Sequence, residues 1–323
     1  MRRYHSSCDP FLWIVILVLL AWAGPAVPAE DFPTKPVTLV IPVGAGGSHD
    51  LTARALASVA PQYLGEPLII QLKPGGGGAI GSDYVAKSKP DGYTLVFGGP
   101  GWSTTLPAIE GRSHGPDTLA AVCKINHGAL VWTVNPAKPW QNIKELVEWA
   151  RANPGKLVHA TTGPWGIADL PMKLLMKEYG FTAHLVPYDG GGPALLAILG
   201  GHADSNINPL PQMLPHIRSG KLRAIAVLQA TRENDLPDVP TAKEQGFDAE
   251  YTIWRAVLAP KATPRPIIEK LAAAFKQMTE DKSFQAMIKQ MGDDVNYMGP
   301  DEFEKIWRAE YESAKELGKF YKK

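Results

Sequence analysis

Four times in this chain a strand-like apolar run ends in a glycine-bearing loop, and a helix-like pattern begins straight after it. The loops are Gly44-Ala45-Gly46-Gly47-Ser48-His49-Asp50, Pro74 through Gly81, Thr161-Thr162-Gly163-Pro164-Trp165-Gly166, and Asp189-Gly190-Gly191-Gly192-Pro193. Strand–loop–helix units in series predict an α/β fold with largely parallel sheets. Glycine in such a loop permits positive φ and lets a ligand come close to the backbone. The helix that follows supplies free N–H groups and a partial positive charge, which suit an anion. In open parallel sheets ligands settle at the carboxyl ends of strands, where these loops lie. Ordinary turn chemistry explains any one loop; four of a kind point to a cleft.

The pattern between the loops supplies the remaining elements. Short strands are predicted at 37–41, 67–72, 93–97, 156–161, 182–187 and 222–228. Helices are predicted at 51–64, 79–88, 140–152, 170–179 and 193–199. Two longer extended runs, 121–135 and 251–260, exceed what one sheet usually needs and suit a pair of crossings between two lobes. The tail, 264–291 and 300–321, is amphipathic and helical, and Pro300-Asp301-Glu302 starts its last helix well. The predicted organisation is a first lobe from 30–127 and 255–323, with a second lobe from 128–254.

The N-terminus reads as a secretory signal occupying 1–29. Arg2, Arg3 and His5 form a basic start, Phe11 to Ala23 is apolar, and Val27-Pro28-Ala29 offers small residues for cleavage after Ala29. The apolar run of about 13 residues falls short of the roughly 20 needed to span a bilayer. Cys8 precedes that run and is not placed for lipid attachment. After cleavage only Cys123 remains, so an oxidising periplasm can form no internal disulfide, and filled cores must carry the stability. The expectation is a periplasmic monomer.

Lys+Arg number 33 and Asp+Glu 32, a balance that excludes a basic nucleic-acid-tracking surface. Gly76 to Gly81 satisfies G-x-G-x-x-G, but the pattern is cheap in so glycine-rich a stretch, and Ser82 rather than Lys rules out a P-loop. Ser48-His49-Asp50 holds the three residue types of a hydrolytic triad, yet consecutive side chains cannot stack into a relay. The histidines lack metal-ligand spacing. No metal and no cofactor are expected.

At this point the residues resemble a known family, the extracytoplasmic solute receptors of tripartite tricarboxylate transporters (the Bug family). Four segments carry the likeness. They are Pro42 to Arg54; Lys73 to Leu95, ending Pro90-Asp91-Gly92-Tyr93-Thr94-Leu95; Val186-Pro187-Tyr188 through Gly200-Gly201-His202-Ala203-Asp204; and Ser219-Gly220-Lys221-Leu222-Arg223 running to Pro240-Thr241. Trp254 with Leu258-Ala259-Pro260 also fits. The resemblance implies two α/β lobes closing on a cleft, as in periplasmic binding proteins, without catalysis. It also implies a small carboxylate held by backbone N–H groups and water, and a membrane permease that recognises the closed form. The loops and the resemblance together give the candidate ligand contacts. The first lobe offers Val43, Gly46, Gly47, Ser48, His49, Asp50, Gly76, Gly77, Gly78 and Trp102. The second offers Thr162, Gly163, Trp165, Asp169, Tyr188, Asp189 and Asn206, and Trp254 stands on the return crossing.

Some positions depart from the family pattern. Asp169 stands where a His is usual, Asp189 follows Tyr188 in place of Lys, Val43 replaces a Phe, and Trp102 is additional. Two readings stay open: Asp169 and Asp189 cap helices and the ligand is an ordinary carboxylate, or the second lobe meets a ligand end that is not an anion, such as an amine, a hydroxyl or an aromatic ring, with Trp165 and Trp102 flanking a flat group. Beside the transport receptor stand two alternatives, a periplasmic sensor partner of a signalling protein and an exported hydrolase using Ser48, His49 and Asp50.

Overall fold

The computed structural model describes residues 32–321. The signal segment and its cleavage after Ala29 lie outside the described residues. In chain order, strand β1 (Val37–Ile41) leads through the first loop into helix α1 (Ser48–Leu64), then β2 (Leu68–Leu72), α2 (Ala79–Ala86) and β3 (Thr94–Gly98). A π-type turn, Gly101–Thr105, runs into a short α3 (Leu106–Glu110). Strand β4 (Leu119–Val134) crosses to the second lobe. There α4 (Ile143–Ala152), β5 (Leu157–Thr161), α5 (Asp169–Tyr179), β6 (Ala183–Pro187), α6 (Gly191–Leu199), β7 (Ser205–Pro209), α7 (Leu210–Arg218) and β8 (Arg223–Val227) follow. The chain returns on β9 (Thr252–Pro260) and closes with α8 (Arg265–Glu280), α9 (Lys282–Gln290), β10 (Asp294–Met298) and α10 (Pro300–Tyr321).

The sheets are mixed rather than largely parallel. β2-β1-β3 and β6-β5-β7 are parallel sets built by helical crossovers, as the loop pattern implies. The two long runs, β4 and β9, are antiparallel to each other because one leaves the first lobe and the other returns. β4 pairs with β9 as far as Ala129 and with β7 from Leu130 onward, so this one strand belongs to both sheets.

Each sheet is buried on both faces. In the first lobe, Leu39, Ile41, Phe97 and Ile125 pack under α1, α8 and α9 through Leu56, Leu271, Phe275 and Phe284. The other face holds Val96 and Leu258 against Phe303 and Trp307 of α10. Phe303, Trp307, Tyr311, Ala314 and Gly318 recur every three or four residues, the stripe a helix needs to lie flat on a sheet. In the second lobe, Trp132 and Ile207 meet α4 and α5, while Ala160 meets Ile198 and Met213 of α6 and α7. The tail stretch 264–291 is broken at Asp281, which has extended backbone and whose carboxylate accepts from Ser283 N and Phe284 N, so one helix stops and the next is capped.

Candidate functional site

The four glycine-bearing loops meet one another between the lobes. The Gly44 N–H donates to the Asp189 carbonyl at 2.6 Å, joining the first loop to the fourth. The second loop turns through four successive glycines with positive φ, Gly75 to Gly78, and lies against the third; a side chain on Gly163 would meet the Gly77 Cα at 2.8 Å. A side chain on Gly78 would strike the Trp102 ring, and one on Gly192 would run into the Ala45 carbonyl. Gly163 and Gly192 need glycine because backbone meets backbone across the cleft, and Gly78 because the Trp102 side chain fills the space beside it.

The first and third loops share one construction. Gly46 (φ 77°) and Trp165 (φ 57°) each sit in the left-handed region. Each donates its N–H to the carboxylate four residues on, Gly46 to Asp50 at 2.9 Å and Trp165 to Asp169 at 2.8 Å. Each acid then pairs with a cation one turn further, Asp50 with Arg54 and Asp169 with Lys173. Neither acid stands at a helix cap position; those are Gly47 and Ala168, and neither makes a side-chain cap bond. Both carboxylates hold their own loops in shape. Asp189 is exposed and contributes its backbone carbonyl, while Gly190 is the cap residue of α6.

Where the loops converge, a cavity of about 20 Å³ remains, measured as room for the centre of a water. Val43, Gly47, Ser48, His49, Trp102 and Thr162 of the candidate set line it, joined by Ile167, Gly190, Gly191, Asn208, Pro209, Gln212 and Ile253. No Lys, Arg, Asp or Glu is among them. The starts of α1 and α6 both face this space, since a side chain on Gly47 would lie 3.4 Å from Gly192 N and 3.8 Å from Gly191 N. First-turn N–H groups have no partner within their own helices, so two positive helix ends act on one small volume.

Polar side chains complete the wall. Ser48 N–H donates to Gln212 Oε1 at 2.7 Å, a hydrogen bond between the lobes. Thr162 Oγ1, Asn208 Oδ1 and Gln212 Nε2 are buried without partners. His49 Nε2 lies 3.1 Å from the Gly98 carbonyl, which can only accept, so that nitrogen carries the proton. Burial, with a smaller push from Arg255, holds the His49 ring well below the ordinary imidazole range; it is neutral. Its ring meets Trp102 edge-on with centroids 4.5 Å apart, and Trp102 Nε1 donates to the Phe97 carbonyl. His49 therefore bonds Gly98, and Asp50 bonds Gly46 and Arg54. Those partners differ from the relay that a hydrolytic reading of Ser48, His49 and Asp50 requires.

Other candidates stand apart from the cavity. The Trp165 ring packs under Lys173 Nζ at 4.0 Å and against Tyr321 of α10, so the structure does not bring it opposite Trp102. Trp254 donates to Glu310 and leans on Phe303. Asn206 lies deeper in β7 and donates to the Ala160 carbonyl at 2.6 Å. Tyr188 is half-buried against the α6 core. Sequence reasoning missed Asn208 and Gln212. A usable signal was present: Pro209 and Pro211 mark a strand end and a helix start, with Asn208 and Gln212 on either side. Among the described residues no cluster could hold a metal, and no helix is long and apolar enough to cross a membrane.

The description "Tripartite tricarboxylate transporter family receptor" (TctC) matches residues 52–319. Protein BugT of Bordetella pertussis is 35% identical over 282 residues, covering 84% of this chain and 85% of its own. The structure of the periplasmic binding protein BugD, 32% identical, aligns with a TM-score of 0.83 over 89% of this chain and 98% of that one. MatC from Rhodopseudomonas palustris, solved with bound malate, is 26% identical, with a TM-score of 0.84 over 89% of this chain and 100% of its own. Two lobes of the periplasmic-binding-protein type, with glycine-bearing loops meeting between them, agree with this match along nearly the whole described chain. The protein belongs to the Bug family, the extracytoplasmic solute receptors of tripartite tricarboxylate transporters.

Proposed function

We propose that this receptor captures a small carboxylate between its lobes and delivers it to the permease of a tripartite transporter. The observation that carries the reading is the convergence of the α1 and α6 starts on a cavity with no charged side chain. There, backbone N–H groups are the means of holding an anion. Malate in MatC and the family's tricarboxylate description support the same ligand class. The contacts we assign are the N–H groups of Gly47 and His49 beside the Ser48 N–H that Gln212 holds, those of Gly191 and Gly192, and the side chains of Thr162, Trp102, Asn208 and Gln212. Gly46, Asp50, Gly76 to Gly78, Gly163, Asp169 and Asp189 shape the loops that present them.

The lobes we assign are 30–127 with 255–323, and 128–254, turning on β4 and β9. Closing joins contacts from both lobes, and the closed surface is what the permease reads. The protein acts as a monomer in the periplasm, freed by cleavage after Ala29, and binds without turnover. A thermal-shift series on the mature protein against mono-, di- and tricarboxylates tests this. A ligand present at 100 times its Kd adds ~2.7 kcal/mol of stability, so a true ligand raises Tm visibly. If neutral sugars or cations stabilise the protein and no carboxylate does, the reading fails.

A further inference from the structure

The second lobe brings two carboxamides to the cavity, and backbone partners fix which way each one points. Asn208 Nδ2 donates to the Gly191 carbonyl at 3.2 Å, which turns Oδ1 away as a buried acceptor without a partner. Gln212 Oε1 accepts from the Ser48 N–H, which leaves Nε2 as a buried donor without a partner. A carbonyl only accepts and an N–H only donates, so neither amide can be flipped without losing its bond. Gln212 is 4% exposed and Asn208 fully buried. Both free atoms lie within 2.8 Å of where a side chain on Gly191 would begin, so they sit side by side at the α6 start.

An ionised carboxylate is acceptor-only. It suits the helix N–H groups and Gln212 Nε2, but against Asn208 Oδ1 it sets oxygen lone pairs facing each other. The nearby Thr162 hydroxyl can turn to donate or accept, so it does not discriminate. Filling every position takes an O–H or N–H on the ligand as well as its carboxylate oxygens, because a buried acceptor left unpaired is costly.

We propose that Asn208 and Gln212 make this receptor select small carboxylates that also carry a hydroxyl or amino group, over plain alkyl acids of the same length. The proposal rests on the carboxylate reading above and narrows it.

Calorimetric titration of the mature protein with matched acids tests it. One series is succinate, malate and aspartate; the other is glutarate, 2-hydroxyglutarate and glutamate. The expected result is that a donor-bearing member of one series binds about tenfold or more tighter than its plain acid. In Asn208→Leu, checked for folding by its thermal melt, that ratio should fall to within about threefold, through loss of the tighter binding. Equal affinities within both series for the native protein overturn the proposal and leave the carboxylate reading standing. A preference that survives intact in a folded Asn208→Leu overturns the assignment to this wall. Absence of binding in both series, with no stabilisation by any mono-, di- or tricarboxylate in the thermal-shift series, overturns the carboxylate reading and this proposal with it.

Discussion

At Gly192 the two lobes come so close that one methyl group would push them apart. Its Cβ would run into the Ala45 carbonyl, a backbone atom that cannot swing aside. In the separate lobe the same methyl is welcome, because alanine favours a helix over glycine by up to about 1 kcal/mol. Gly192→Ala should therefore leave the ligand-free melting temperature unchanged or slightly raised while weakening ligand binding about tenfold or more. Calorimetry with a stabilising carboxylate, paired with a thermal melt, checks both halves; unchanged affinity would refute the close approach. Glycine at this place was legible in the sequence as a loop signal. Its partner across the cleft was not, since a backbone contact between residues this far apart leaves no mark in local pattern. The same limit explains Asp169. Its position at a helix start suggested a cap or a ligand contact, whereas the bond it makes runs back to the strained Trp165 N–H.

Elements with a strong period were readable, and elements without one were not. Helix α10 announces itself through a stripe repeated every three or four residues. Strand β7 reads Ser-Asn-Ile-Asn-Pro and is buried on both faces, so no alternation betrays it, and prolines disguise the start of α7. That is why the site's two amides escaped notice. The β5–β7 ladder offers a prediction of its own. His159 on β5 is fully buried, with Nδ1 2.7 Å from Ser205 Oγ on β7, and burial lowers its pKa to about 3. The ring is neutral when folded and takes up a proton when unfolded below about pH 6.5. The unfolded state thus binds more protons between about pH 6.5 and 3, and stability falls as pH drops through that window. The slope from this one ring is up to about 1.4 kcal/mol per pH unit. His49, also held neutral by burial, adds in the same direction. Urea unfolding at pH 7, 6 and 5 should show a clearly flatter dependence for His159→Gln than for the native protein.

Across the whole molecule, the two lobes are joined where β4 changes sheets, and a buried ion pair sits at that joint. Arg255 of β9, 0% exposed, bonds Asp293 at 2.6 Å and also Asn126 of β4. Burial pushes the Asp293 carboxyl up, against the pull of Arg255. A side chain on Gly128 would meet the Asp293 carboxylate, so this acid lies directly over the crossing strand. Removing it leaves the buried guanidinium without an opposite charge, bonded only to the Asn126 amide oxygen. Asp293→Ala should cost about 3–5 kcal/mol of unfolding free energy, measured in urea. A loss below about 1 kcal/mol would mean that the charge had found water and the joint is open.

The bond between the Ser48 N–H and Gln212 has a consequence for how the cleft responds to salt. With it, the lobes complete contacts across the cleft using their own atoms, and the remaining 20 Å³ has room for about one water. Neither partner carries a charge, so added salt has nothing here to screen. A cleft clasped by ion pairs would loosen as ionic strength rises; one clasped by an amide and a backbone N–H should hold alike in dilute and in concentrated salt.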